Sequence, residues 1–75
     1  MKWSHIGVQT KHAAVALELF KAAGFEPDRV RTLESEVKYS FKDVPDERRF
    51  ALASAIPVHF YSTYAVVGDG PVVSH

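Results

Sequence analysis

The chain has 75 residues, nine basic and nine acidic side chains, four His and no Cys, and 47% of it is apolar. A chain of that length forms one small domain, 1–75, and buries only roughly 60–65% of the surface its unfolded form exposes. Zero net charge argues against a non-specific polyanion binder, and the lack of Cys excludes a disulfide framework, a thiolate metal site and a Cys nucleophile.

The same composition sets further expectations. The apolar share is that of a globular chain, not a disordered one. A small domain without disulfides suits a reducing interior. The opening MKWSHIGVQTKH lacks the apolar run of a signal peptide, and nowhere does an apolar run reach the ~18 residues of a membrane span. A cytoplasmic chain with no membrane partner is expected. Its small core and neutral charge leave it open to homodimer formation.

The elements follow in chain order. Residues 2–9 read as a strand, with Ile6 and Val8 on one side and Trp3, His5 and Gly7 on the other. Thr10 stands where a helix N-cap belongs. Lys11 to Ala23 is rich in Ala and Leu, and Val15, Ala16, Leu19, Phe20 and Ala23 form one apolar stripe. Gly24 suits the left-handed position after a helix, with Phe25 packing back on Phe20.

Glu26-Pro27-Asp28 signals a turn. Arg29–Leu33 is a short strand candidate, Glu34-Ser35 a tight turn, and Glu36–Lys42 a clear alternating strand. The competing reading joins residues 29–42 into one bent strand. Asp43-Val44-Pro45-Asp46 opens a second helix, with early negative charge at its positive end. Phe50, Leu52, Ala53 and Ile56 give it an apolar side, and Pro57 stops it. Residues 58–67, VHFYSTYAVV, read as the last long strand. Gly68-Asp69-Gly70-Pro71 is a turn, and Val72-Val73 a short strand or tail.

The fold class expected is α+β: a ferredoxin-like β-α-β-β-α-β sandwich with two helices on one face of a small antiparallel-rich sheet. The alternative is a three-stranded β-α-β-α-β sheet. The more apolar side of each strand should face the helices. The core is then Ile6, Val8, Val30, Val37, Tyr39, Phe41, Val58, Phe60, Tyr64 and Val66, with the helix stripes. The open face receives Trp3, His5, Arg29, Arg31, Glu36, Lys38, Ser40, Lys42, His59 and Tyr61. A one-residue slip would exchange the two sets.

That surface is basic and aromatic on a neutral chain, and three functions compete for it. The first is contact with a protein partner, through the face or through the last strand as a sheet edge, since Trp, Tyr and Arg are favoured at binding hot spots. Mutual shielding of Trp3 and Tyr61 beside a small core explains the same pattern without function. The second is single-stranded nucleic acid on an aromatic, basic sheet. Its third-strand motif is missing, because Tyr39 and Phe41 fall with Val37 on the core side. The third is metal or acid–base chemistry by His5 and His59 as cross-strand neighbours. Metal sites need three or four ligands, and the spacing offers no HExxH, Cys pair or His cluster. His12 reads as a solvated helix residue, and Arg48-Arg49 as a solvated pair.

No GxGxxG, P-loop or GxSxG is present, so no catalytic residue, metal ligand or cofactor is assigned. SHIGVQTKHAAVALELFKAAGFE, residues 4–26, is similar to the opening of vicinal oxygen chelate modules, the glyoxalase-like fold. The resemblance implies a half-module in which His5 would be a metal ligand. That family continues with three strands and a late ligand Glu, whereas here Pro45 opens a helix and the last Glu is Glu47. The ferredoxin-like order also resembles metal chaperones and acylphosphatases, but without their CxxC or Gly-rich anion loops. The expectation is therefore a non-enzymatic protein-binding regulator, of inhibitor or adaptor type, such as phages encode. Trp3, Arg29, Arg31, His59 and Tyr61 are its candidate partner-binding residues.

Overall fold

The computed structural model describes residues 3–66 and 73–74, with side chains through Ser62. The chain is α+β, with an antiparallel sheet and two helices packed on one face of it. Strands β1 (Trp3–Gln9), β2 (Arg29–Thr32), β3 (Glu36–Lys42), β4 (Tyr61–Val66) and β5 (Val73–Ser74) lie in the order β2-β3-β1-β4-β5. Helix α1 (Ala13–Ala22) follows a 3₁₀ turn at Thr10–His12, and the short α2 (Arg49–Ala53) follows another at Asp46–Arg48.

β1 is central because it is the most enclosed strand. Ile6 and Val8 are fully buried and meet Tyr39 and Val37 of β3 in register. Gly24 takes the left-handed φ of +88° that ends α1. The amide of Phe25 donates to Phe20 O at 2.8 Å and that of Gly24 to Lys21 O at 3.0 Å, the paired bonds of a Schellman stop. Phe25 thereby turns into the core, and its ring and that of Phe20 both meet the edge or face of Phe41. Tyr39 Oη donates to Ala13 O at 2.7 Å, fastening α1 to the sheet. The core closes around Ala16, Leu52, Ile56 and Phe60.

The hairpin reading of 29–42 holds over the single bent strand. Arg29 pairs with Ser40 and Thr32 with Val37, and the Leu33 amide donates to Glu36 O across the turn. At the other end of β3, Asp28 Oδ2 accepts from the Lys42 amide at 2.8 Å, while Asp43 turns the chain with φ +56°, a conformation Asp tolerates.

Several sequence expectations are corrected. Thr10 begins the 3₁₀ turn and provides no side-chain cap. Val15 and Phe50 lie outside the core, Phe50 being 83% exposed, because α2 is a single turn and shows that side to solvent. Val30 is 52% exposed: β2 lies at the end of the sheet order, beyond the cover of the helices. Glu36 and Ser40, expected at the surface, are buried, Glu36 accepting from Ser62 Oγ at 3.0 Å.

The largest correction is at VHFYSTYAVV. Val58–Phe60 is a 3₁₀ turn, and β4 starts only at Tyr61. Val58 is therefore 82% exposed, not core. The turn buries Phe60, and the strand then directs Tyr61 to the helix side, opposite Val8, where it packs on the core and its hydroxyl donates to Ala53 O. Two consecutive inward residues are what a pure strand forbids. Gln9 holds the irregularity: its Nε2 donates to His59 O at 3.1 Å and to Tyr61 O at 3.0 Å, beside the register shift between Ile6 and Val8. β4 is also not the sheet edge, since β5 pairs with it through Tyr64–Ser74 and Ala65–Val73. The core assignments of Tyr64 and Val66, the turn at 68–71 and Val72 lie outside what is described.

Candidate binding face

Alternation along β1 puts Trp3 and His5 on the side away from the helices. The register adds Lys42, Ser40 and Lys38 from β3, and then Arg29 and Arg31 from β2, opposite Ser40 and Lys38. Strand geometry thus gathers residues far apart in sequence into one patch.

Its middle is ordered by three contacts. The rings of Trp3 and His5 are stacked, 6.0 Å between centroids and 8° from parallel. The Arg29 guanidinium lies 5.2 Å from the Trp3 ring centroid, a cation over an electron-rich face. His5 Nδ1 and Ser40 Oγ are 2.7 Å apart. Partial burial first, and the charges of Lys38 and Arg29 second, lower the His5 pKa below its ordinary value. The neutral imidazole is accordingly favoured at neutral pH, and Ser40 fixes its orientation.

Among the described residues, four cations stand around this centre, Arg29, Arg31, Lys38 and Lys42, against one carboxylate, the buried Glu36. Neither Arg29 nor Arg31 has an ion-pair partner among the described residues. A dication on His5 would face Lys38 and Arg29, and among the described residues no group of three or more His, Cys, Asp or Glu could hold a metal ion.

Of the five residues singled out from sequence, the structure brings together Trp3 and Arg29, with Arg31 two positions along the same strand. Tyr61 is on the opposite side of the sheet. His59 is not a neighbour of His5. Its ring meets His12 edge-on at 5.5 Å, and His12 lies flat against Phe60 at 4.3 Å. His12 is thus a packed residue, and desolvation, then Lys11 and His59, lower its pKa. Arg48 and Arg49 are also engaged. Arg48 sits over Phe25 and reaches Ala23 O at the end of α1, and Arg49 pairs with Asp46 at 3.1 Å. Sequence reading missed Ser40 as the partner of His5 and Gln9 as a backbone anchor, because both depend on register and neither residue type signals it.

An open pocket of about 290 Å³ lies between the end of α1 and the β3–α2 turn. It mixes Asp28 and Asp43 with Lys42 and Arg48, and Arg48 is already committed to Phe25 and Ala23. It lacks the cationic excess that marks the sheet face. Among the described residues no helix is long and apolar enough to cross a membrane. Comparison with known protein families, curated proteins and solved structures gave no match.

Proposed function

We propose that this chain is a small non-enzymatic protein-binding module, of regulator or inhibitor type, that docks a protein partner on the sheet face opposite its helices. The observation that carries the reading is the Trp3–Arg29 pair, stacked in place on a face that no described helix covers. Trp and Arg are the side chains that most often dominate binding energy, and ordering them in advance lowers the entropy lost on association. The helix arrangement and the order β2-β3-β1-β4 support a ferredoxin-like topology extended by β5. The absence of Cys supports work in a reducing compartment such as the cytoplasm.

The test uses wild-type, Trp3→Ala and Arg29→Ala chains as baits in extract from the organism that encodes the chain, with quantitative mass spectrometry. The expected result is a protein retained by wild type and depleted on both variants. Equal recovery on all three baits would overturn the proposal.

Single-stranded nucleic acid is the second reading, favoured by the parallel Trp3–His5 rings beside Arg29, on which a base could stack. Against it, the β3 aromatics Tyr39 and Phe41 are buried on the helix side. Retention on immobilised single-stranded DNA that weakens with salt would support it, and no retention at low salt would end it.

A further inference from the structure

We infer that the β2 edge takes up an extended acidic segment of the partner as an added strand, with carboxylates two residues apart meeting Arg29 and Arg31. This rests on the protein-binding reading above and specifies the partner's chemistry.

Three observations converge on β2. It is the last strand on its side of the sheet, and no described strand pairs with its outer edge. All four of its residues are exposed. An unpaired edge is a template for another chain, and the usual protections are Pro, a bulge or charge. Here the sequence RVRT has no Pro, and β2 runs in unbroken register with β3 from Arg29–Ser40 to Thr32–Val37. Only the two Arg remain to select what may pair.

Those Arg reject a second copy. A two-fold pairing of β2 with itself that keeps both sheets' faces aligned must centre on one residue. Centred on Val30, it sets Arg29 against Arg31. Centred on Arg29 or Arg31, it sets that Arg against itself, and centred on Thr32 it keeps only Thr32 paired within β2 and runs into the turn that follows. Like charges directly opposite are destabilising. An acidic strand reverses the sign: alternating carboxylates would sit opposite Arg29 and Arg31, the Arg29 guanidinium swinging from the Trp3 ring toward the edge to meet its carboxylate. The intervening residues would lie beside Val30 and Thr32 on the other face, where half-exposed Val30 offers apolar contact. The fitting sequence is acidic–apolar–acidic, the side-chain alternation that strand addition requires.

The single Trp makes the experiment direct, since the guanidinium of Arg29 lies over its ring. An end-blocked hexapeptide alternating Glu with Val and Thr is titrated against the whole chain, read by Trp3 fluorescence and by amide shifts of residues 29–32. Saturable binding is expected, weakened by salt. The double variant Arg29→Glu/Arg31→Glu should lose affinity by roughly tenfold or more, the scale of close charge pairs. It should gain affinity for the Lys version of the peptide. A fully N-methylated Glu peptide, which cannot donate to the edge, should not bind.

If the N-methylated peptide binds as well as the parent, charge alone acts and strand addition is overturned. If no peptide binds and the double variant merely aggregates, the Arg pair serves only to block edge pairing, and the inference falls. In both cases the proposed docking face stands or falls separately on the Trp3→Ala bait. Tighter, Trp3-dependent binding of oligo-dT than of the peptide would overturn both in favour of nucleic acid.

Discussion

The two faces of the sheet are drawn from alternate residues of the same strands, yet different physics holds them. On the helix side Ile6 and Val8 are fully buried, and the Phe20 ring meets Tyr39 at 5.6 Å and Phe41 at 5.0 Å. On the other side Trp3, His5, Arg29 and Ser40 are tied by a ring stack, a cation over a ring and one hydrogen bond. The first set gains its energy from area removed from water. The second gains little that way, because its charged members remain solvated. The comparison teaches that one pleat can divide a packed side from a solvated one, and mutation should separate them.

The largest effect belongs to the helix side. Phe20→Ala should cost about 3–5 kcal/mol, enough to unfold much of so small a domain. Urea denaturation followed by far-ultraviolet circular dichroism measures it. A loss under about 1 kcal/mol would mean that the aromatic cluster is not the core.

Next comes Tyr61, which decides to which face the start of β4 belongs. Tyr61→Ala should cost about 3 kcal/mol, as core truncations do. Tyr61→Phe removes the hydroxyl that donates to Ala53 O and should cost about 1 kcal/mol. Were Tyr61 on the open face, both substitutions would be nearly neutral.

Tyr61 also shows how far the sequence could be read. Alternation placed Ile6, Val8, Val37, Tyr39 and Phe41 correctly, because β1 and β3 are regular and the period of two carries through them. The same rule failed at residue 61. A 3₁₀ turn follows Pro57, so parity is counted from the wrong start, and the Gln9 side chain that fixes the turn is 52 residues from Tyr61. Gly24 and Phe25 were legible because a helix stop is local chemistry. The open-face grouping of Trp3, Arg29 and Arg31 was legible as a set, but not as a geometry. The Arg29–Trp3 contact and the His5–Ser40 bond both require the β2–β3–β1 pairing, which no local pattern encodes.

Gly24→Ala probes that local chemistry. A Cβ there would stand 3.8 Å from Arg48 Nη2, an ordinary contact, so crowding is not the issue. The cost is that of a left-handed φ on a residue with a side chain, about 1–2 kcal/mol. A neutral result in the same urea assay would show that α1 can end without that conformation.

Acid should weaken the molecule on both sides of the sheet. His5 on the open face and His12 against Phe60 both have lowered pKa values, chiefly from desolvation. The folded chain then binds protons less readily than the unfolded chain, whose His titrates near 6.5. This contribution is fully present above about pH 6.5 and is lost as pH falls through that value toward the lower folded pKa. Urea midpoints between about pH 7.5 and pH 5 should decline, and His5→Asn and His12→Asn should each flatten the slope. An unchanged slope in the His5 variant would mean that the Trp3 stack does not desolvate it.

The smallest effect on stability is the most informative about recognition. Trp3 is half-buried and its partner Arg29 is exposed, so removing the ring gives up a partly solvated stack and a cation–π contact. Such contacts are worth about 0.5–1 kcal/mol at exposed sites, and Trp3→Ala should cost no more than about 1 kcal/mol. Arg29→Ala should cost less still. If the open face were an ordinary surface, these changes would be silent in every assay. If it is where a partner docks, they should be nearly silent in urea and large in binding, the reverse of Phe20→Ala, whose residual folded fraction should still bind. A Trp3→Ala chain destabilised as much as Phe20→Ala would collapse the distinction between the two faces, because the open-face stack would then be part of the core.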